Sequence, residues 1–162
     1  GKRGLSFMKS LLCISLFLAA QASTALPAVS IEYALRNRAA LSGRIIAIEG
    51  RSSAMKTMAR NITESSFEIM CMMPVCTLLF CGDTCCNSCG SNVSLSDDSM
   101  LGIVLAGQYQ GKDIGCSGNE CSMACNPQQG GKYRATGTLR FEEHGDAVEL
   151  ILHVQTLVHL SD

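Results

Sequence analysis

The sequence predicts a mainly β domain: a small five-stranded antiparallel barrel with a short helix and disulfide-rich loops, with a β-sandwich as the alternative. Three observations carry this. Tyr133, Ala135, Gly137, Leu139 and Phe141 alternate with Arg134, Thr136, Thr138, Arg140 and Glu142, the period of two of a half-buried strand. After the turn-like link Glu143-His144-Gly145-Asp146, the residues Val148, Leu150, Leu152 and Val154 repeat the pattern against Glu149, His153 and Gln155, which makes an antiparallel hairpin. The third is cysteine, at 10 of 162 residues, a density typical of domains stapled by disulfides.

Length and composition bound the rest. The chain is short enough for one domain, and 47% hydrophobic against 17% charged residues excludes long disorder. A formal net charge of −1 argues against a nucleic-acid binder, which presents a basic field. Arg36, Arg38, Arg44, Arg51, Lys56 and Arg60 are spread out with no interleaved aromatics, as on a solvated face. Residues 71–162 carry 4 basic and 10 acidic groups, so this half is acidic.

Residues 1–25 read as a secretory signal peptide, with Met8 as the start and 1–7 as an upstream extension. Lys2, Arg3 and Lys9 precede the apolar run 11–20, and Ala20-Gln21-Ala22 and Ser23-Thr24-Ala25 offer small residues for cleavage. A membrane span needs about 20 apolar residues, and this run is shorter. No later run approaches that length, so no membrane span is expected in the mature chain, and Cys13 is expected to leave with the leader.

Residues 26–41 form an N-terminal segment with a short helix. Ser30 can cap it, Ile31, Ala34 and Leu35 fall at helical spacing, and Gly43 ends it. The barrel domain spans 42–160, with a cysteine-rich insert at 71–125. Residues 42–51 read as its first strand. Met55, Met58, Ala59 and Ile62 have the spacing of a short helix or a structured loop. Phe67, Ile69, Cys71 and Met73 alternate as in one strand, 77–81 is β-like, and 93–95 and 100–106 form a hairpin around Ser96-Asp97-Asp98-Ser99. Gly137 inside a strand implies a bend or bulge.

The order Gly43-x-Ile45-x-x-Ile48, then Gly131-x-Tyr133-x-x-x-Gly137-x-Leu139, then a closing alternating strand, resembles the general OB pattern over residues 42–158. The resemblance is one of architecture and implies a barrel of OB type. Exported OB domains of the netrin and metalloprotease-inhibitor type begin with a cysteine, whereas the first cysteine here after the leader is Cys71.

Nine cysteines follow the leader: Cys71, Cys76, Cys81, Cys85, Cys86, Cys89, Cys116, Cys121 and Cys125. In an exported domain they are read as disulfides, stapling the 71–89 loop internally and tying it to 116–125. The odd number leaves one free, paired between chains as a disulfide-linked dimer, or bound to metal. Connectivity stays open. Two other chemistries compete. Cys86, Cys89, Cys121 and Cys125 supply four thiolates for zinc, and Met70, Cys71, Met72, Met73 and Cys76 supply soft donors for copper. Cys86-Asn87-Ser88-Cys89 also has the spacing of a thiol–disulfide exchange motif, but Gly90-Ser91-Asn92 follows with no helical pattern to activate it.

No serine-nucleophile elbow, zinc-protease motif or phosphate loop is present, so no catalytic residue and no cofactor are expected. His153 and His159, six apart, would share a face of one continuous strand and could form a metal pair, though exposed strand residues are the plainer reading. Asp97-Asp98 lacks the spaced acidic pattern of a calcium loop and reads as a polar turn. Asn61 and Asn92 open N-x-S/T sequons, candidate glycan sites in a eukaryotic secretory route. Together these features predict a secreted or periplasmic, disulfide-stabilised, non-catalytic binding module with a protein or glycan ligand. A cysteine/methionine metal protein and thiol–disulfide exchange are the alternatives.

Overall fold

The computed structural model describes residues 25–54, 56–60, 64–68, 70–72, 88–99, 101–119 and 122–161, with side chains at 25–54, 90–99, 101–119 and 122–161. The predicted leader up to residue 24, Asn61, Cys76, Cys81, Cys85, Cys86, Cys121 and the β-like stretch 77–81 lie outside the described residues.

In chain order the elements are α1 (Ile31–Arg36), α2 (Arg38–Leu41), β1 (Ile45–Ser53), β2 (Lys56–Arg60), β3 (Glu64–Glu68), β4 (Met70–Met72), β5 (Ser88–Ser91), β6 (Val93–Ser96), β7 (Gly102–Ala106), β8 (Gln108–Tyr109), β9 (Lys112–Asp113), β10 (Gly115–Asn119), β11 (Ser122–Asn126), β12 (Lys132–His144) and β13 (Ala147–Leu160). The protein is mainly β, as its alternation predicts.

The helix forms where capping and spacing predict it. Ser30 Oγ accepts a hydrogen bond from Tyr33 N–H at 3.1 Å, and Ile31, Ala34 and Leu35 are buried. Glu32 in the first turn and Arg36 in the last suit the helix dipole and pair at 2.8 Å. Gly43 takes φ 78°, which lets the chain turn into β1.

Five strands form a ring-like sheet in the order β12-β1-β6-β7-β13, with β13 pairing back onto β12. All these pairings are antiparallel except β7–β13, where Val104, Leu105 and Ala106 run parallel to Ile151, Leu152 and His153. The fully antiparallel ring expected from the sequence is thereby corrected, for a geometric reason. Directions cannot alternate all the way round a closed ring with an odd number of strands, so one neighbouring pair must be parallel. A parallel pair also needs a long connection, and here β8 to β12 supply it.

The ring is filled by Ile46, Ile48, Leu95, Ile103, Leu105, Leu139 and Leu152, with Ile31, Ala34 and Leu35 of α1 packed against them. Each of the larger side chains contributes about 1.5–3 kcal/mol by leaving water. α1 is also tied to the ring by its first turn: Asp97 in the β6–β7 turn accepts from Ile31 N–H at 3.0 Å.

Two expectations in the insert are corrected. Of the residues with helical spacing, Met58 and Ala59 are in strand β2, which pairs with β3 along its length and with β13 at Ala147 and Val148, while Met55 and Ile62 lie outside the described residues. Short apolar spacing of three and four does not distinguish a helix from a strand once partners are available on both edges. The single strand expected from Phe67 to Met73 is two: β3 joins the ring's sheet, while β4 pairs with β5 in a separate four-stranded sheet of order β11-β10-β5-β4.

The predicted irregularity at Gly137 is a bulge. Thr136 opposes Thr156 but Gly137 opposes Val154, so Gln155 is the extra residue. A Cβ on Gly137 would lie 2.1 Å from the His153 carbonyl oxygen, so only glycine fits this close approach. The bulge reverses the alternation of β13. Leu152 and Val154 point into the ring before it, and Leu157 and His159 after it. His153 and His159 therefore lie on opposite faces, and the pairing that an unbroken strand would give them does not form.

A candidate binding cleft on the outer face of the parallel seam

Ile103 and Leu105 of β7 and Leu150 and Leu152 of β13 are buried in the ring. Strand alternation then turns Val104 and Ala106, and Glu149, Ile151 and His153, to the outside. These residues line a cleft of about 630 Å³ with Asn92, Asp113, Ile114 and Glu142, a size ordinary for a ligand site.

The far wall is the β8–β9 ribbon, held by one amide. Asn126 Nδ2 donates to the carbonyls of Tyr109, Lys112 and Asp113 at 3.0, 3.1 and 3.2 Å. Gln108 Nε2 donates to Asp113 Oδ1 at 3.2 Å, which fixes that carboxylate on the wall.

Three carboxylates, Asp113, Glu142 and Glu149, meet the cleft, and among the residues with described side chains no lysine or arginine lines it. Arg140 is directly across from Ile151, yet its guanidinium runs toward Gly43, 3.1 Å from where a Cβ would stand there. The floor is apolar, from Val104 and Ile151. Such a surface suits a ligand with a positive group and an apolar body.

Glu149 is the residue the sequence reads least well. Alternation puts it on the polar side of β13, and it is on that side, but it is only 4% exposed. Periodicity gives the face of a strand and not whether a neighbour covers that face. It opposes Glu142 in the hairpin. His144 Nε2 is 3.4 Å from Glu142 Oε2 and 3.8 Å from Glu149 Oε2, and the three donor atoms lie within 4.8 Å of one another. One imidazole and two carboxylates are donors that a zinc ion accepts. The turn itself is only Gly145-Asp146, with Gly145 at φ 65°, so Glu142, Glu143 and His144 belong to β12 and not to a longer loop.

The other predicted residues are placed as follows. Cys116 and Cys125 face each other across β10 and β11 and are joined by a disulfide. This removes Cys125 from the four-thiolate zinc set. It also keeps the staple inside 116–125, so these two cysteines do not tie that segment to 71–89. Cys71 and Cys89 lie in β4 and β5. Cys116 and Cys125 do not line the cleft, whereas His153 and Asn92 do, and Asn92 is exposed. Asp97 is committed to structure, accepting from Ile31 N–H and from Ser99 N–H, each at 3.0 Å, as a polar turn requires.

His159 lies elsewhere, edge to face with Tyr133, which also meets Tyr109. Burial first, and Tyr109 second, push the Tyr133 phenol above its ordinary value. Among the described residues, no helix is long and apolar enough to cross a membrane. No protein-family model, no curated protein and no solved structure matches this chain.

Proposed function

We propose that the protein is an exported, non-catalytic binding module of OB type that takes a positively charged segment of a protein ligand in the cleft over the β7–β13 seam. The observation that carries this reading is the charge of that cleft: three carboxylates over an apolar floor, with no lysine or arginine on its described lining. The OB assignment is supported by the ring order. Numbering the ring strands along the chain gives 1-2-3-5-4 with strands three and five parallel. OB barrels bind through the face of the second and third strands and the loop joining the fourth and fifth. The cleft uses the third and fifth strands, the residue before the second, and the end of the fourth. Export is supported by the leader-like start and by the Cys116–Cys125 disulfide, a bond of oxidising compartments.

The test uses the chain from Leu26 with its disulfides intact. A lysine-rich peptide and an acidic peptide of equal length are titrated by fluorescence anisotropy at low and high salt. The lysine-rich peptide binds, weakens as salt screens the carboxylates, and binds about tenfold more weakly to Glu142→Gln/Glu149→Gln. Equal binding of both peptides, binding untouched by the double substitution, or binding of neutral glycans alone would refute the proposal.

A further inference from the structure

We infer that Cys71 and Cys89 form a second cross-strand disulfide, parallel to Cys116–Cys125 in the four-stranded sheet. The argument is one of backbone register and does not rest on the function proposed above. Cys71 is directly opposite Cys89 in the antiparallel pairing of β4 and β5, flanked by Met70 opposite Gly90 and Met72 opposite Ser88.

Opposed residues in an antiparallel ladder alternate between narrow, non-hydrogen-bonded pairs and wide, hydrogen-bonded ones. Cys116 and Cys125 are a narrow pair, with Cα atoms 4.0 Å apart. A residue that makes a narrow pair with one neighbour turns its N–H and C=O to the other. Cys116 therefore makes a wide pair with Ser91, its partner on β5. Cys89 is two residues before Ser91 and has the same polarity: wide toward Gly118 of β10 and narrow toward β4. Cys71 and Cys89 thus form a narrow pair, whose Cα spacing of about 4.5 Å is one that a disulfide spans.

The length of β4 points the same way. It has three residues and stands at the edge of its sheet. An edge strand that short has little independent stability, and a covalent tie to β5 supplies it. The bond forms by exchange with a disulfide-bearing oxidant. One thiolate attacks the oxidant's disulfide and releases a thiol, and the second cysteine displaces the other, leaving Cys71 Sγ–Sγ Cys89 and two reduced thiols on the oxidant. With Cys89 engaged, Cys86 loses the partner that thiol–disulfide exchange or zinc binding at Cys86-Asn87-Ser88-Cys89 would need.

The native chain is alkylated at low pH, digested with pepsin without reduction and sequenced by electron-transfer fragmentation, which locates each bridge. The expected product is a pair of peptides joined through Cys71 and Cys89. Separately, Cys71→Ser exposes one new alkylatable thiol at Cys89, and Cys89→Ser exposes one at Cys71. Should either variant fail to fold, the map of the unsubstituted chain decides alone. Cys89 bonded to Cys86 or to any other cysteine, or Cys89 alkylated in the native chain, overturns the inference.

Discussion

The rings of Tyr133 and His159 meet edge to face with centroids 5.1 Å apart, at positions directly opposed in the β12–β13 ladder. His159 reaches this place only because Gln155 is extruded. Without the bulge, the last residues of β13 would present the other face, and His159 would point away from the ring. Tyr109 also meets Tyr133 edge to face, at 6.1 Å, so two rings pack on the buried phenol.

The bulge depends on Gly137. A methyl group there collides with backbone atoms of His153 and Val154 that have no rotamer to change. Gly137→Ala is expected to cost about 3 kcal/mol, the upper end for overpacking, measured by urea unfolding. A loss below about 0.5 kcal/mol would contradict the close approach.

Tyr133 sets a limit at alkaline pH. Its phenol is raised in the folded chain by burial and by Tyr109, so ionisation favours the unfolded chain. Stability is intact below the ordinary tyrosine value, about 10, and falls as pH rises from there toward the folded value. Thermal melts across that window should show the loss, and Tyr133→Phe should flatten it. In a tyrosinate absorbance titration, Tyr133 ionises above the ordinary tyrosine value.

Asp97 joins the start of α1 to the β6–β7 turn through one carboxylate, with Ile31 N–H on one oxygen and Ser99 N–H on the other. Asp97→Ala leaves an N-terminal helix donor without its partner. The expected cost is about 1–2 kcal/mol, with amide exchange of Ile31 quickened and that of Leu139 unchanged.

The Cys116–Cys125 bridge closes a short loop, for which chain entropy gives about 2–3 kcal/mol. The double substitution Cys116→Ala/Cys125→Ala should lose about that much in denaturant unfolding. An unchanged midpoint would show that the bond does not constrain the unfolded chain.

Much of the ring was legible in the residues. The alternation from Tyr133 to Phe141, the hairpin around Ser96 to Ser99, the Ser30 cap and the break at Gly137 are local signals, each with a local cause, and each has its counterpart in the fold. The features that escaped depend on partners distant in sequence. The parallel β7–β13 seam follows from closing an odd ring. β2 became a strand because β3 and β13 flank it. Glu149 is buried although its pattern is that of an exposed residue. The cleft itself gathers β7, β12, β13 and the β8–β9 ribbon, so no contiguous motif could announce it.

The central claim is that the outer face of the parallel seam is where this protein meets its ligand. Backbone amide shifts of the chain from Leu26, recorded by NMR as a lysine-rich peptide is added, test it most directly. The account predicts that shifts concentrate at residues 104–108, 113–114 and 149–153, and need about tenfold more peptide in Glu142→Gln/Glu149→Gln. Shifts confined to α1 and the Asp97 turn, or no saturable shifts at all, would contradict it.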